Sequence, residues 1–325
     1  MNLCEIRVPT YRRPAMLRRC LESLIKQTHV NWVAIILDDA PEADGRLIVA
    51  EFNDPRLVYR PNQPRLGCCG NLDLAFANEA LAGGQYACVL EDDNWLLPGF
   101  IEENLEAVMK TGLEIIQRNQ LIAIETSGEP PNITEDTTLG GIFGKNDVIL
   151  TPLQLRGSMF FGCGISNGGL FWKLRAKSSL VVGPTVRHSL MQELCRSLQV
   201  LEPIVFAAKP LAVFSLPADR NTSREALGYR GYNRGKQVIF QHLLEHHGEH
   251  LVAAATELCK SNRAIKTGML HAIADSGLLR FTRVLPPSAL VVKAWAKGVA
   301  KKWLVEDPIR EYWNIKGDAM VKSVL

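Results

Sequence analysis

Tyr86-Ala87-Cys88-Val89-Leu90-Glu91-Asp92-Asp93-Asn94-Trp95-Leu96-Leu97-Pro98 is the stretch on which the reading of this chain turns. An apolar run ends in three consecutive acids. Cys88-Val89-Leu90 has the character of a buried strand, and the acids fall where the strand leaves its sheet. Three adjacent carboxylates repel one another unless a cation or solvent neutralises them. Mg²⁺ and Mn²⁺ take oxygen ligands, typically one or two carboxylates plus substrate phosphates. Two readings follow: a metal–diphosphate site, or a solvated acidic loop after a strand. Neighbouring segments decide between them.

Upstream, Leu3 to Val8 predicts a first strand, broken by Pro9. Pro14 opens a helix whose Leu17, Cys20, Leu21, Leu24 and Ile25 recur at helical spacing. Trp32 to Leu37 is apolar throughout, as a parallel strand covered on both faces would be, and it ends in Asp38-Asp39. Pro41 and Gly45 punctuate the loop that follows. Leu57 to Tyr59 predicts a short third strand. Gly67 to Gly70 predicts the start of a helix carrying Leu72, Ala75, Phe76, Ala80 and Leu81, stopped by Gly83-Gly84. Tyr86 to Leu90 is the fourth strand. Alternating strands and helices predict a doubly wound α/β sheet, whose ligands bind beyond the carboxyl ends of strands. Pro9-Thr10-Tyr11, Asp38-Asp39 and Glu91-Asp92-Asp93 all sit at such ends, which favours a shared site over three separate loops.

The 325 residues suit two domains, or one large domain with an appendage, and 47% apolar residues supply an ordinary core. A net charge of +3 and the lack of basic runs interleaved with aromatics give no nucleic-acid signature. Eight cysteines, none in a CxxC pair and several inside apolar runs, predict free thiols in a reducing compartment. Glu5, Arg7 and Pro9 interrupt any signal-peptide core, and no apolar run approaches the roughly 20 residues that span a bilayer. A cytoplasmic location is the expectation.

Val8-Pro9-Thr10-Tyr11-Arg12-Arg13-Pro14, Leu17, Cys20 to Leu24 and Gln27-Thr28 together resemble the opening of family 2 glycosyltransferases. Asp38-Asp39 resembles that family's acidic pair, Asn62, Gly67 and Gly70-Asn71 its glycine- and asparagine-containing segment, and Leu90 to Pro98 its metal-binding DxD region. The resemblance covers roughly the first hundred residues. It departs at Glu91, where the family has Asp, at Ala40-Pro41, where it has Gly-Ser, and at Arg12. The resemblance implies an α/β, GT-A (Rossmann-like doubly wound) domain over residues 1–224, with a helical C-terminal extension over 225–325. It implies transfer of a sugar from a nucleotide-sugar donor, UDP-linked, to a hydroxyl of a carbohydrate or lipid-linked acceptor, with inversion and Mn²⁺ or Mg²⁺ as cofactor. On these positions Glu91 and Asp93 would hold the metal and Asp92 would lie near the sugar or ribose. Pro9, Thr10, Tyr11, Arg13, Asp38, Asp39, Asn62, Gly67 and Asn71 would line the donor site.

Residues 100–111 predict an exposed helix and Glu114 to Ile124 a strand; 125–146 read as an aperiodic loop, on the acceptor side or a surface insertion. Gly162 to Trp172 leads from glycines into an apolar run without the Lys-Ser/Thr of a phosphate loop, either below the acceptor or as a tight turn on the sheet. Leu190 to Leu198 predicts a helix. Aligned on Arg196, the family's Glu-Asp base pair falls on Ser189 and Leu190, so Glu193, the one acid between Asp147 and Glu202, is the candidate base. Residues 204–214 predict two short strands. Leu216 to Ser223 resembles the family's closing segment, with Arg220 suited to phosphate.

The last hundred residues are helical in pattern. His242-Leu243-Leu244-Glu245-His246 matches the inverted zincin spacing, but His247, His250 and Gly248 crowd it, favouring a solvated helix end over a metalloprotease. Within Ser288 to Glu306, Val291, Trp295, Val299 and Trp303 form one stripe and Lys293, Lys297 and Lys301 another. This pattern suits a helix lying on an anionic membrane surface, or one packed on the catalytic domain or a homodimer partner. Two rivals to the transferase remain. A nucleotidyltransferase would carry a glycine-rich basic loop after the first strand, where Pro9-Thr10-Tyr11 stands; a catalytically silent GT-A module would bind nucleotide or a partner without turnover.

Overall fold

The computed structural model describes residues 2–140, 142–217, 223–259, 262–278, 288–304 and 306–322, with side chains left aside over 223–230 and 317–322. Arg220 therefore lies outside the described residues. In chain order the elements are β1 Cys4–Thr10, α1 Pro14–Ile25, β2 Trp32–Asp38, α2 Gly45–Phe52, β3 Leu57–Pro61, α3 Gly67–Ala75, β4 Tyr86–Val89, β5 Trp95–Leu96 and α4 Phe100–Thr111. They continue with β6 Ile115–Glu125, β7 Asn132–Thr137, β8 Val148–Leu150, α5 Pro152–Ser158, β9 Leu170–Lys173, α6 Ser189–Gln199 and β10 Ile204–Pro217. The helices α7 Ser223–Leu258, α8 Arg263–Asp275, α9 Ala289–Leu304 and α10 Arg310–Lys322 complete the chain.

Two compact units are present. The first comprises residues 1–149, 165–181 and 203–219; the second comprises 150–164, 182–202 and 220–325. The division differs from a single cut at 224, because α5 and α6 fold with the C-terminal helices. Their apolar faces explain this: Met159, Met191, Cys195 and Leu198 share a core with Phe240, Leu243, Leu251 and Ile273.

The first unit is built on a mixed sheet of order β3-β2-β1-β4-β9-β6-β10-β5, with β7 beside β6 and β8 beside β10. β3, β2, β1 and β4 run parallel, as the alternation of strands and helices predicts. β9 is antiparallel to both its neighbours. Register aligns the strand ends that matter: Thr10 pairs with Asp38, and Asp38 with Pro61. Leu90 follows β4, its N–H bonded to the Arg7 carbonyl at 3.0 Å. One face of α1 buries Leu17, Cys20, Leu21 and Leu24 against this sheet, each leucine contributing roughly 1.5–3 kcal/mol.

Several expectations change on contact with tertiary structure. The helix opening at Gly67 stops at Ala75, not at Gly83. The cause lies on β1, where Glu5 and Arg7 are both buried and ion-paired at 2.8 Å. Glu5 accepts the N–H groups of Leu81, Ala82 and Gly84, at 3.0, 2.7 and 2.9 Å. Arg7 donates to the carbonyls of Ala75, Ala77 and Glu79. These bonds hold residues 75–84 as an irregular loop, since a helical backbone would need the same groups for itself. The helix over 100–111 is packed rather than exposed, burying Phe100, Ile101, Leu105 and Val108. Within 125–146 a polar strand, β7, pairs with β6. The region 204–214 is one long strand with a register shift between Ala207 and Ala212, not two strands. An additional helix, α2, fills the stretch after Gly45.

In the second unit, α7 breaks at Gly248, where φ is 53° and ψ is −128°. His242 stacks on Trp313 at 4.3 Å and His246 Nδ1 faces the His242 carbonyl at 2.7 Å. Among the described residues no group of three metal-ligating side chains exists, so the zincin spacing holds no metal cage. On α9, Val291 and Gly298 are buried, whereas Trp303 is 86% exposed. The tryptophan–valine stripe is thus divided between buried and exposed positions. Among the described residues no helix is long and apolar enough to cross a membrane.

Candidate active site

The carboxyl ends of β1, β2 and β4 bring together residues widely separated in sequence. Thr10 Oγ1 donates to Asp92 Oδ2 at 2.7 Å, and the Tyr11 N–H reaches the same oxygen at 3.4 Å. Arg13, just before α1, donates through one nitrogen to Asp92 Oδ1 at 3.1 Å and to Asp93 Oδ2 at 2.7 Å. Arg19, six residues further along the chain in α1, donates to the Asp93 carbonyl at 2.7 Å and pairs with Glu125. The β1–α1 segment therefore grips the acidic turn through Asp92, Asp93 and the backbone between them.

The three acids have different surroundings. Asp92 is buried, and burial pushes its carboxyl up to about 6; Arg13 opposes the shift, Asp93 adds to it, and the Thr10 and Tyr11 bonds oppose it. Its oxygens are engaged with Thr10, Tyr11 and Arg13. The Asp93 side chain is 32% exposed. Glu91 is half-buried, with the Asn94 amide 3.5 Å from its Oε2. Asn94 is buried and accepts the Ser215 N–H at 2.9 Å, tying the turn to β10.

The acidic pair after β2 also divides its tasks. Asp38 accepts the N–H groups of Ala40 and Gly45, at 2.9 and 3.2 Å, and the Tyr59 hydroxyl at 2.8 Å. Its carboxylate builds the turn into α2. Asp39 accepts the N–H groups of Leu66 and Gly67, at 2.7 and 2.9 Å, with Asn62 Nδ2 at 3.2 Å and Arg65 Nε at 3.3 Å. A carboxylate at the start of α3 meets unpaired backbone donors and the positive end of the helix dipole. Gly67 has φ 74°, a conformation that costs a residue with a Cβ. Asn62 also donates to Asn71 Oδ1 at 2.9 Å, and Asn71 to the Leu37 carbonyl at 2.9 Å. The Arg65 and Arg12 guanidinium groups lie 4.5 and 5.2 Å from the centre of the Tyr11 ring. Pro9 pairs with Leu37 in the sheet.

The structure thus brings Thr10, Tyr11, Arg13, Asp92 and Asp93 into one cluster, and Asp39, Asn62, Gly67 and Asn71 into a second. Arg65 and Arg19 carry no distinguishing spacing in the sequence, the one lying in the loop before α3 and the other being the sixth residue of α1. Glu193 belongs to the second unit, half-buried on α6, where its carbonyl accepts the Ser197 hydroxyl at 3.0 Å. Ser166 to Gly169 packs tightly on β6: the Ser166 hydroxyl donates to Gln120 Oε1 at 2.8 Å, and a Cβ on Gly169 would lie 2.3 Å from the Arg118 carbonyl oxygen.

The donor chemistry of the acidic turn admits a nucleotide-bound ion. Mg²⁺ or Mn²⁺ needs only one or two carboxylates when phosphates complete the shell, and Asp93 and Glu91, two residues apart after β4, provide that number. A wholly protein-built metal cage does not fit, because no group of three His, Cys, Asp or Glu side chains gathers among the described residues.

Comparison with known proteins adds to this. The model of the family described as glycosyl transferase family 2 matches residues 5–160. An Escherichia coli K12 protein assigned to colanic acid biosynthesis as glycosyl transferase WcaA is 34% identical over 100 residues, 30% of this chain and 34% of that protein. The Escherichia coli UDP-Glc:α-D-GlcNAc-diphosphoundecaprenol β-1,3-glucosyltransferase WfgD is 25% identical over 127 residues, 37% of this chain and 49% of that protein. The chain thus spans between a third and a half of the length of these two relatives. The crystal structure of S. aureus TarS 1–349 in complex with UDP covers 98% of this chain and 92% of its own, with TM-score 0.59 and 12% identity, which is a likeness of fold.

Proposed function

Because residues 5–160 belong to glycosyl transferase family 2, in a GT-A fold, we propose that this chain transfers a sugar from a UDP-sugar to an acceptor hydroxyl, with inversion at the anomeric carbon. The reaction would serve assembly of a cell-surface polysaccharide. One observation carries the reading: Thr10, Tyr11 and Arg13 converge on Asp92 and Asp93 at aligned strand ends. The UDP in the TarS complex and the UDP-glucose in the WfgD name support the choice of nucleotide. A lipid-linked acceptor is favoured by the diphosphoundecaprenol in that same name.

In this reading Asp93 and Glu91 hold a Mn²⁺ or Mg²⁺ ion. The ion, when bound with the donor, offsets charge on the departing diphosphate. Arg13 keeps Asp93 oriented and offers its remaining N–H groups to the diphosphate. Tyr11, steadied by two guanidinium groups, provides a face for the base, and Asp39 fixes the loop that borders the nucleoside together with Asn62 and Asn71. The attacking hydroxyl must lose a proton, and Glu193 is the assigned base. Peripheral membrane association and a homodimer remain proposals attached to residues 288–306.

The test is a panel of nucleotide sugars with Mn²⁺, read first as thermal stabilisation and then as hydrolysis of the donor. A UDP-sugar should raise the melting temperature with the logarithm of its concentration and be turned over. Binding without turnover on any donor or acceptor would favour a silent module; no stabilisation by any nucleotide sugar would refute the donor assignment. Glu193→Gln should abolish transfer and leave donor binding intact.

A further inference from the structure

The second unit contains a cavity of about 680 Å³ bounded by α7, α8 and α9, a size at which small-molecule ligands are held. Its floor is aromatic. Phe160 and Phe240 are buried and stacked, 4.3 Å between ring centres and 23° between planes. Its rim is basic, formed by Lys236, Lys297, Lys301 and His271. Two of the three lysines of the α9 stripe thus line this cavity.

The walls are fixed by bonds between helices. Gln237, buried on α7, donates to the Asp275 carbonyl on α8 and to the Gly298 carbonyl on α9, each at 2.6 Å. A Cβ on Gly298 would meet the Asp275 carbonyl oxygen at 2.3 Å, so α9 seats on α8 by glycine contact. The cavity is therefore a constructed feature of three helices.

Charge in the cavity is unbalanced. Asp275 is the acid among the lining residues, and it is paired with Lys301 at 2.7 and 2.9 Å. Lys236 and Lys297 form no ion pair among the described residues. Lys236 Nζ is 5.7 Å from the centre of the Phe240 ring, at the junction of basic rim and aromatic floor. Burial pulls this ammonium below the usual lysine range, with Asp275 opposing and Lys301 reinforcing the shift. An ammonium that burial makes costly to keep charged, with no ion pair among the described residues, is one that an anion would relieve.

We propose that this cavity binds a phosphate group carried on an apolar chain, the phosphate held by Lys236 and Lys297 and the first segments of the chain laid on Phe160 and Phe240. Ammonium groups engage phosphate as point charges without demanding a fixed fork geometry. The aromatic floor supplies what a free inorganic anion would not use. The same chemistry is found in a membrane phospholipid and in a lipid-phosphate-linked saccharide.

The test uses the full chain and calorimetry with decyl phosphate below its micelle concentration. Saturable binding is expected, with inorganic phosphate and decyl maltoside each weaker by about tenfold or more. Lys236→Gln and Lys297→Gln should each weaken decyl phosphate binding by about tenfold. Lys297 is exposed, so its variant keeps the fold, as circular dichroism would verify. Absence of saturable binding, unchanged affinity in Lys297→Gln, or equal affinity for decyl maltoside or inorganic phosphate would overturn the proposal. Vesicles of phosphatidylglycerol against phosphatidylcholine then distinguish the sources. Lysine-dependent capture by the anionic vesicles identifies a membrane headgroup; decyl phosphate binding without capture identifies a lipid-linked saccharide phosphate.

Discussion

Replacing Arg7 by Met tests whether two buried charges on β1 dictate the shape of the chain from 75 to 84. Arg7 donates to the carbonyls of Ala75, Ala77 and Glu79 and pairs with Glu5, and both side chains are fully buried. Arg7→Met leaves three carbonyls without this donor and Glu5 without its cation, a loss of about 3–5 kcal/mol for a broken buried pair. Glu5→Gln keeps the shape but offers one acceptor oxygen to three backbone N–H groups, a loss of about 2–3 kcal/mol. The double variant should lose less than the sum, by about 1–3 kcal/mol, because the two residues share one network. Burial raises the Glu5 pKa, but the bonds from Ala82, Gly84, Leu81 and Arg7 outweigh it and leave it below 4.5. The Glu5 contribution is accordingly full above about 4.5 and lost as pH falls through the folded value, so Glu5→Gln should flatten the acid limb of stability. Hydrogen exchange on peptides covering 78–85, with urea unfolding at pH 7.5 and pH 4, measures both effects. Unchanged protection of the Leu81, Ala82 and Gly84 amides in Glu5→Gln, or a loss under about 0.5 kcal/mol in Arg7→Met, would refute the reasoning.

Other perturbations address the site and its supports. Asp39→Asn exchanges a carboxylate with four donors for an amide that repels one of them, and should weaken UDP binding at least about tenfold by titration calorimetry. Gly169→Ala brings a methyl within 2.3 Å of the Arg118 carbonyl oxygen and should destabilise the first unit by about 1–3 kcal/mol or more, seen as a lower melting temperature. Asp92 has a folded pKa of about 6 against an ordinary 3.8, so the folded state holds its proton to higher pH. Its effect is present below about 4 and lost as pH rises through 6, so in EDTA the wild type should lose up to about 3 kcal/mol relative to Asp92→Asn across that window.

How far the sequence carries the structure depends on what each segment's partners are. β2 and β4 are legible because each is apolar on both faces, and β1 because Cys4, Ile6 and Val8 alternate along it; polar residues mark the strand ends at Thr10, Asp38 and Glu91. The loop after Ala75 is not, because Ala80 and Leu81 keep helical spacing while Glu5 and Arg7, some seventy residues upstream, take the backbone groups a helix would use. β7 reads Asn-Ile-Thr-Glu-Asp-Thr, mostly exposed, and its pairing with β6 leaves no apolar alternation to detect. Asp38 and Asp39 are adjacent in sequence and alike in chemistry. Only the fold separates them, giving Asp38 the turn into α2 and Asp39 the start of α3. In the same way Asp92 is drawn inward by Thr10 while Asp93 keeps an exposed edge.

The central claim is that the turn after β4 binds a nucleotide diphosphate through a divalent ion held by Asp93. Calorimetric titration of UDP into the full chain, with Mn²⁺ and with EDTA, tests it most directly when repeated on Asp93→Ala. The account predicts binding in Mn²⁺, weakened at least about a hundredfold by EDTA or by the substitution. UDP affinity that is the same in wild type and Asp93→Ala, with or without Mn²⁺, would contradict it.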